Sequence, residues 1–411
     1  MAIYLYDDDR ARRFEPFALT RPAGELRAGA LVTRHRWSLV AKEPVAGHVT
    51  ATHLTSFEEL DAPPVVTGTL PAGSLLVNAR CIPALGAWGG ATPTAPLWRM
   101  ADHAAAVRLP HEVPVSQLDN GAVSLDLLAA ALDVTEQVEM PGLWLDDVWD
   151  LIGHLPTQLA DDIAVLGPGL DLDQNLGHVT RRGTHPLFVE RGAEIEPHVT
   201  VDLTAGPVLV RTGTVVQSFT RIVGPCYVGE HSIVSTDRIA GSSIGEHCKV
   251  HGEMSSTVIL GYANKNHDGF VGHSYLGRWV NLGAGTITSN LKNTYGSVQL
   301  WTPYGLANTG LTFLGTMFGD YARTGIGTRL TTGTVIGAGA NIFGAAMMGK
   351  FVPPFAWGDA APYDKFAIDK FLEVAERQMA RRSIALKAGA RATLRAAHQR
   401  GADVRDLWLI D

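Results

Sequence analysis

From Val189 onward the sequence repeats every six residues, and this period constrains the fold more than any other feature. Val189, Ile195 and Val201 keep one phase, and Val210, Val216, Ile222, Val228 and Val234 keep a second. Ile244, Val250, Val271, Leu276 and Leu282 follow, and Phe318, Thr324, Leu330, Ile336, Ile342 and Met348 close the series. Six matches neither the 3.6-residue period of a helix nor the two-residue period of an alternating strand. It matches a triangular parallel β-coil with one hexad per side. The aliphatic residue points inward, and Gly, Asn or Asp turns the corners. Strands of a β-sandwich would recur about every 8–12 residues instead. Each coil buries its faces only by stacking on its neighbours, so many repeats are required. Such coils are usually left-handed, against the general rule for crossovers.

At 411 residues the chain is too long for one ordinary core, and a second domain is expected before the coil. Hydrophobic residues make up 46% and charged residues 18%, which excludes a disordered chain. The net charge of −7 argues against non-specific nucleic-acid binding. Cys81, Cys226 and Cys248 are an odd, widely spaced set without a C-x-x-C, so neither a disulfide scaffold nor a zinc ribbon is expected. A reducing cytoplasm fits this usage. No basic n-region precedes Ile3-Tyr4-Leu5-Tyr6, and no apolar run reaches the length of about 18 residues that a membrane span needs.

Residues 1–180 read as an α/β domain, with strands at 3–6 and 74–78 and helices at 124–132 and 144–151. Residues 160–184 form the connection, and residues 181–352 form the coil. Pro353-Pro354 stops the coil and opens a C-terminal helical segment, 353–411. Within that segment, residues 363–400 show one amphipathic helix, with Phe366, Phe371, Leu372, Ala375 and Met379 at helical spacing. Its opposite face carries Arg377, Arg381, Arg382, Lys387, Arg391 and Arg395. That face is either simply solvated or meets the phosphates of a coenzyme.

Polar residues crowd one break in the repeat, Asn264-Lys265-Asn266-His267-Asp268-Gly269-Phe270-Val271-Gly272-His273. A long interruption follows from Leu291 to about Thr316. Loops leaving a rigid coil are favoured places for function. The segment resembles the acetyltransferase half of the bacterial bifunctional N-acetylglucosamine-1-phosphate uridylyltransferase/glucosamine-1-phosphate N-acetyltransferases. His267 to Gly272 aligns with that family's H-L-T-Y-L-G, and Asn281 to Asn290 aligns without a gap with N-I-G-A-G-T-I-T-C-N. The likeness is closest to a divergent branch described as sugar nucleotidyltransferases. It extends to Thr20-Arg21-Pro22, Trp149-Asp150-Leu151 and Met379-Ala380-Arg381-Arg382.

The resemblance implies acetyl transfer from acetyl-CoA to the amine of an amino-sugar phosphate, as in UDP-N-acetylglucosamine biosynthesis for the cell envelope. The amine must lose a proton, which a neutral imidazole can take. By resemblance His267 is that base, and His273, one hexad later, is the second candidate. Asn281 would contact the sugar, Asn290 the sugar or acetyl-CoA, and Lys265 and Lys292 the sugar phosphate. Phe270 stands where the family has Tyr, and Ser255 where it has a basic residue. The resemblance also implies a homotrimer. A zinc site of the γ-carbonic anhydrase kind would draw on His247, His251, His267 and His273, but their spacing does not reproduce it, and no metal is expected in the coil.

Residues 12–22 resemble the sugar-phosphate nucleotidyltransferase signature T-R-x-x-P-L-T-x-x-x-P-K. The Gly-rich phosphate loop of that family is replaced by Asp7-Asp8-Asp9-Arg10-Ala11, its lysine by Ala23, and its metal-binding Asp region by Leu76-Val77-Asn78-Ala79-Arg80. Arg12, Arg13, Arg21, Arg27 and Asn78 are the candidate nucleotide-binding residues, with Mg2+ as the implied cofactor for a nucleoside triphosphate. Two other functions remain open. One is a nucleotidyltransferase whose β-helix is structural or regulatory; the other is a non-catalytic sugar-nucleotide-binding scaffold.

Overall fold

The structure, a computed structural model, describes residues 2–90 and 92–405. The chain forms two compact units. One takes Met1–Val148 with Ala380–Asp411, and the other takes Trp149–Met379.

The first unit is built on a six-stranded mixed sheet in the spatial order Gln137–Glu139, Leu97–Met100, His103–Arg108, Leu75–Asn78, Ile3–Tyr6, Val45–Val49. The strand Ile3–Tyr6 runs parallel to both of its neighbours. The two-residue strand period sorts its side chains. Ile3, Leu5, Leu75 and Val77 pack on one face with Trp37 and Trp98, and Tyr6, Leu76 and Val107 pack on the other with Leu125 and Leu128. Ser124 caps the helix Leu125–Ala131 by accepting the Leu127 N–H at 3.2 Å.

The helix read at 144–151 is not formed. Gly142–Trp144 is a strand antiparallel to Cys81–Pro83, and helix begins only at Asp150. The apolar spacing suited a helix, but pairing with Cys81–Pro83 overrides it.

The second unit is the expected β-helix, a solenoid of about 10 turns over residues 180–358. Its strands stack in parallel, with steps such as Val208 to Cys226, Tyr227 to Ser243 and Met317 to Val335. The hexad aliphatics all fall into one core, from Val189 and Ile195 through Ile259 to Ile342 and Met348, and Thr324 is a buried polar exception among them. Each such side chain contributes about 1.5–3 kcal/mol on burial.

One corner departs from the expected Gly, Asn and Asp. His231, His247, Tyr262, Trp279, Tyr321 and Phe355 all turn it at positive φ. Successive rings touch: His231 stacks on His247 at 5.0 Å, His247 stacks on Tyr262 at 4.7 Å, and Tyr262 meets Trp279 at 4.6 Å with the rings tilted by 35°. The strain of a left-handed residue, roughly 1–3 kcal/mol, is offset by ring contacts of about 0.5–1.5 kcal/mol per pair, together with burial of the Tyr262, Trp279, Tyr321 and Phe355 rings. Gly213 and Gly339 occupy the same corner, and a Cβ on either would strike the ring of His231 or Phe355.

The interruption after Leu291 is an insertion in a single coil. Tyr275 pairs with Met317, a step of 42 residues, and the added chain carries the antiparallel hairpin Gln299–Thr302/Gly305–Asn308.

The single helix read at 363–400 is two helices, Ile368–Ala380 and Ala388–Arg405. Ser383 lies between them at φ 58°, a left-handed conformation that ends a helix. The first buries Phe371, Leu372, Ala375 and Met379. Part of the basic face is already paired: Arg377 bonds Glu373 at 3.4 Å, and Lys387 bonds Glu58 at 3.3 Å. Among the described residues no helix is long and apolar enough to cross a membrane.

Candidate active site

The polar break folds into a short loop between the strands Asn264–Lys265 and Val271–Gly272. The next coil fastens it from above. Gly285 N–H donates to the Asp268 carbonyl at 3.0 Å, and Thr288 N–H to the Phe270 carbonyl at 2.9 Å. Gly269 sits at φ 123°, and a Cβ there would lie 2.2 Å from the Thr286 carbonyl oxygen. Lys265 fastens the loop from within. It is only 2% exposed, and its Nζ donates to the His267 carbonyl at 2.5 Å. Burial pushes the Lys265 ammonium down to about 8, although Asp268 and Asp237 pull the other way. The lysine read as a phosphate contact is buried in this structure and bonded to the loop backbone.

His267 itself is exposed. The adjacent Asp268 carboxylate accepts from His251 Nε2 at 3.0 Å. The sequence offered His251 only as a metal ligand and gave no sign of this pairing.

His273 follows at a left-handed φ of 47°. Backbone bonds to Ser255 at 2.9 Å and from Gly315 at 2.8 Å hold it. Its ring stacks on Phe313 from the insertion, at 5.2 Å and 24°. Asn290 Nδ2 donates to its Nδ1 at 2.9 Å. Burial pushes its pKa below the usual histidine value, which favours the neutral ring that such an acceptor requires. The proton of this tautomer sits on Nε2. With Nδ2 engaged, Asn290 keeps its Oδ1 for another partner. Phe270 and Asn290 meet over Gly272, where a Cβ would lie 2.4 Å from the Phe270 ring and 2.8 Å from Asn290 Nδ2.

His273, Asn290 and Phe270 are thus brought together around Gly272, with His267 and Lys265 in the loop just before them. Asn281 accepts from Asn264 Nδ2 at 2.9 Å, pairing with the strand that enters the loop. Lys292 lies in the insertion and donates to the Ser297 carbonyl at 2.8 Å. It is near enough to Lys350 to add to the depression of that lysine's pKa by burial. Phe313 and Lys350 had no signal in the sequence, because only the insertion carries Phe313 to His273 and Lys292 to the coil that holds Lys350. Among the described residues no group of three or more His, Cys, Asp or Glu could hold a metal ion.

The N-terminal strand ends form a second polar cluster. Asp8 accepts from Arg80, Asn78 and the Ala11 N–H. Burial raises the pKa of Asp8, but Arg80 and the other donors outweigh it and hold the carboxyl below its usual range. Asp7 is raised by burial, against the bonds from Thr50 and Ala23. The five candidate nucleotide-binding residues all have internal partners. Arg12 donates to the Asp7 carbonyl at 2.8 Å and to Asn120. Arg13 pairs with Asp9, and Arg21 with Glu59 at 2.7 Å. Arg27 donates to the Ala30 carbonyl, and Asn78 to Asp8.

Residues 3–169 match the family described as sugar nucleotidyl transferase. A bifunctional sugar-1-phosphate nucleotidylyltransferase/acetyltransferase of Sulfurisphaera tokodaii is 27% identical over 221 residues, 52% of this chain and 48% of that protein. The chain resembles the bifunctional nucleotidylyltransferase/acetyltransferases. The bifunctional protein GlmU of a Synechococcus strain is 30% identical over 139 residues, 33% of this chain and 27% of that protein. The matched parts therefore span half or less of these relatives. A solved UDP-N-acetylglucosamine acyltransferase from Campylobacter jejuni matches over 50% of this chain and 94% of its own at 12% identity, with a TM-score of 0.19.

Proposed function

We propose that the chain is a transferase of sugar-nucleotide biosynthesis that moves an acetyl group from acetyl-CoA to the amine of an amino-sugar phosphate of the glucosamine-1-phosphate kind. The observation that carries this reading is the exposed His267 on a loop pinned by Lys265 and by the following coil, a few residues before the Gly272 cluster in which His273 holds the Asn290 carboxamide. Relatives named for both nucleotidyl and acetyl transfer support it.

His267 takes the proton as the amine nitrogen attacks the thioester carbon. The tetrahedral intermediate collapses, the C–S bond breaks, and the imidazolium returns its proton to the departing thiolate. Asn290 Oδ1 accepts an amine N–H and aims the nitrogen lone pair. Lys292, beside Lys350, receives the sugar phosphate. Acyl-CoA binds at the coil, the assembly is a homotrimer, and the protein works in the cytoplasm.

The test is mass spectrometry of a reaction of purified protein with acetyl-CoA and glucosamine-1-phosphate. An N-acetylated sugar phosphate is expected in step with CoA release. CoA release without that product assigns a different acceptor, and no release removes the reading for this substrate.

A further inference from the structure

The crevice beyond the carboxyl ends of the strands is where an open α/β sheet ordinarily receives its ligand. In the N-terminal unit this place holds Asp7, Asp8, Thr50 and Asn78, all buried. A Mg2+ ion there would need carboxylate oxygens with free lone pairs in octahedral reach. The donor set does not suit one. Asp8 accepts from Arg80 Nε at 3.0 Å and Nη2 at 2.8 Å, from Asn78 Nδ2 at 2.9 Å and from the Ala11 N–H at 2.9 Å. Asn78 Oδ1 is taken by the Arg80 N–H at 2.9 Å. Asp7 Oδ2 takes the Thr50 hydroxyl and the Ala23 N–H, which leaves Oδ1 as a single buried oxygen without a hydrogen bond.

Arg80 is itself held in place. Its Nη1 donates to the Leu145 carbonyl at 2.9 Å, and its guanidinium lies 4.6 Å from the Trp144 ring centroid. A planar guanidinium that grips one carboxylate through two nitrogens is a fixed internal counter-ion, whereas a metal exchanges with solvent.

We propose that Arg80 replaces a divalent cation at the strand ends, bound to Asp8 and Asn78, so that the N-terminal unit takes up neither Mg2+ nor the magnesium complex of a nucleoside triphosphate there. A consequence follows, which rests on the acetyl-transfer reading above. The acetylated sugar phosphate leaves this protein without nucleotidyl transfer, and a separate nucleotidyl-transfer reaction consumes it.

The lock is tested without any turnover assay. Full-length protein is titrated with Mn2+ alone, and free Mn2+ is followed by electron paramagnetic resonance, in the native chain and in Asp8→Asn. The proposal expects no saturable uptake by either. Saturable uptake by the native chain that Asp8→Asn abolishes overturns it. Thermal melting gives an independent readout. Asp8→Asn leaves a buried guanidinium without its carboxylate, so its Tm should fall, and Arg80→Gln in the same chain should restore part of the loss. In a metal site, neutralising a carboxylate relieves repulsion in the metal-free protein. A Tm for Asp8→Asn at or above the native value would therefore also overturn the lock. If Asp8→Asn does not fold, that loss agrees with the lock, and the native Mn2+ titration decides by itself.

Discussion

The coil loop and the N-terminal strand ends are both rich in charged and polar side chains, yet they differ in what remains once internal bonds are made. At the strand ends Asp8, Asn78 and Arg80 satisfy one another, Glu25 is closed in by His48 at 2.8 Å and Arg34 at 2.9 Å, and the unbonded Asp7 Oδ1 is buried. At the coil the internal bonds are made by the backbone and by Lys265, while the His267 imidazole and Asn290 Oδ1 stay open. A buried cluster with paired groups specifies structure, and a supported cluster with unused groups can meet a ligand. Composition does not separate the two cases; the state of the hydrogen bonds does.

The comparison can be sharpened first within the coil. Phe318 is fully buried in the solenoid core, and Phe219 is 78% exposed at a corner. Phe318→Ala should cost about 3–5 kcal/mol of unfolding free energy in urea titrations. Phe219→Ala loses only the ring contact with His198 and should cost about 0.5–1.5 kcal/mol at most. Similar losses at the two positions would break the assignment of an inward hexad phase.

Gly272→Val comes next. Its side chain would enter the space of Phe270 and Asn290, at a strain of about 1–3 kcal/mol. CoA release should fall further than that destabilisation explains, because Asn290 is displaced. Release at the native rate would separate the Gly272 cluster from the reaction.

Acid unfolding probes the N-terminal side. Burial raises the Glu25 pKa, but His48 and Arg34 outweigh it and bring it from 4.5 to about 2. A depressed folded value means that the unfolded chain takes up the proton first. The stability from Glu25 is therefore fully present above pH 4.5 and is lost as pH falls towards about 2. Glu25→Gln should flatten this limb in pH-dependent melting, and an unchanged slope would contradict the pairing.

The smallest effect belongs to His273. Its folded pKa is also depressed, by burial. As pH falls through the ordinary histidine range, the unfolded chain gains a proton that the folded one resists, so stability declines there and is unaffected at higher pH. His273→Gln should remove that decline. It should also slow CoA release through a lower kcat with little change in the KM for acetyl-CoA.

Much of the fold was legible. The hexad phase marked the inward residues because each side of the coil must bury an aliphatic, and the interruption marked the insertion. The aromatic corner was not legible, since left-handed φ at Tyr262 or Trp279 is offset by ring contacts between coils that the local sequence does not display. The His267 loop was visible as a polar break, but the burial of Lys265 was not, because its ammonium turns inward to a carbonyl two residues away. Asn78-Ala79-Arg80 was seen to lack an Asp. That Arg80 reaches Asp8, 72 positions earlier, depends on strands placed side by side by the sheet.

The account rests most directly on His267. The decisive measurement is the rate of thiol release from acetyl-CoA with glucosamine-1-phosphate, for the native protein and a folded His267→Ala of the same oligomeric size. The account predicts release by the native protein and a loss of at least about 100-fold in the variant, the low end for a general base. Equal rates in the two proteins would contradict it.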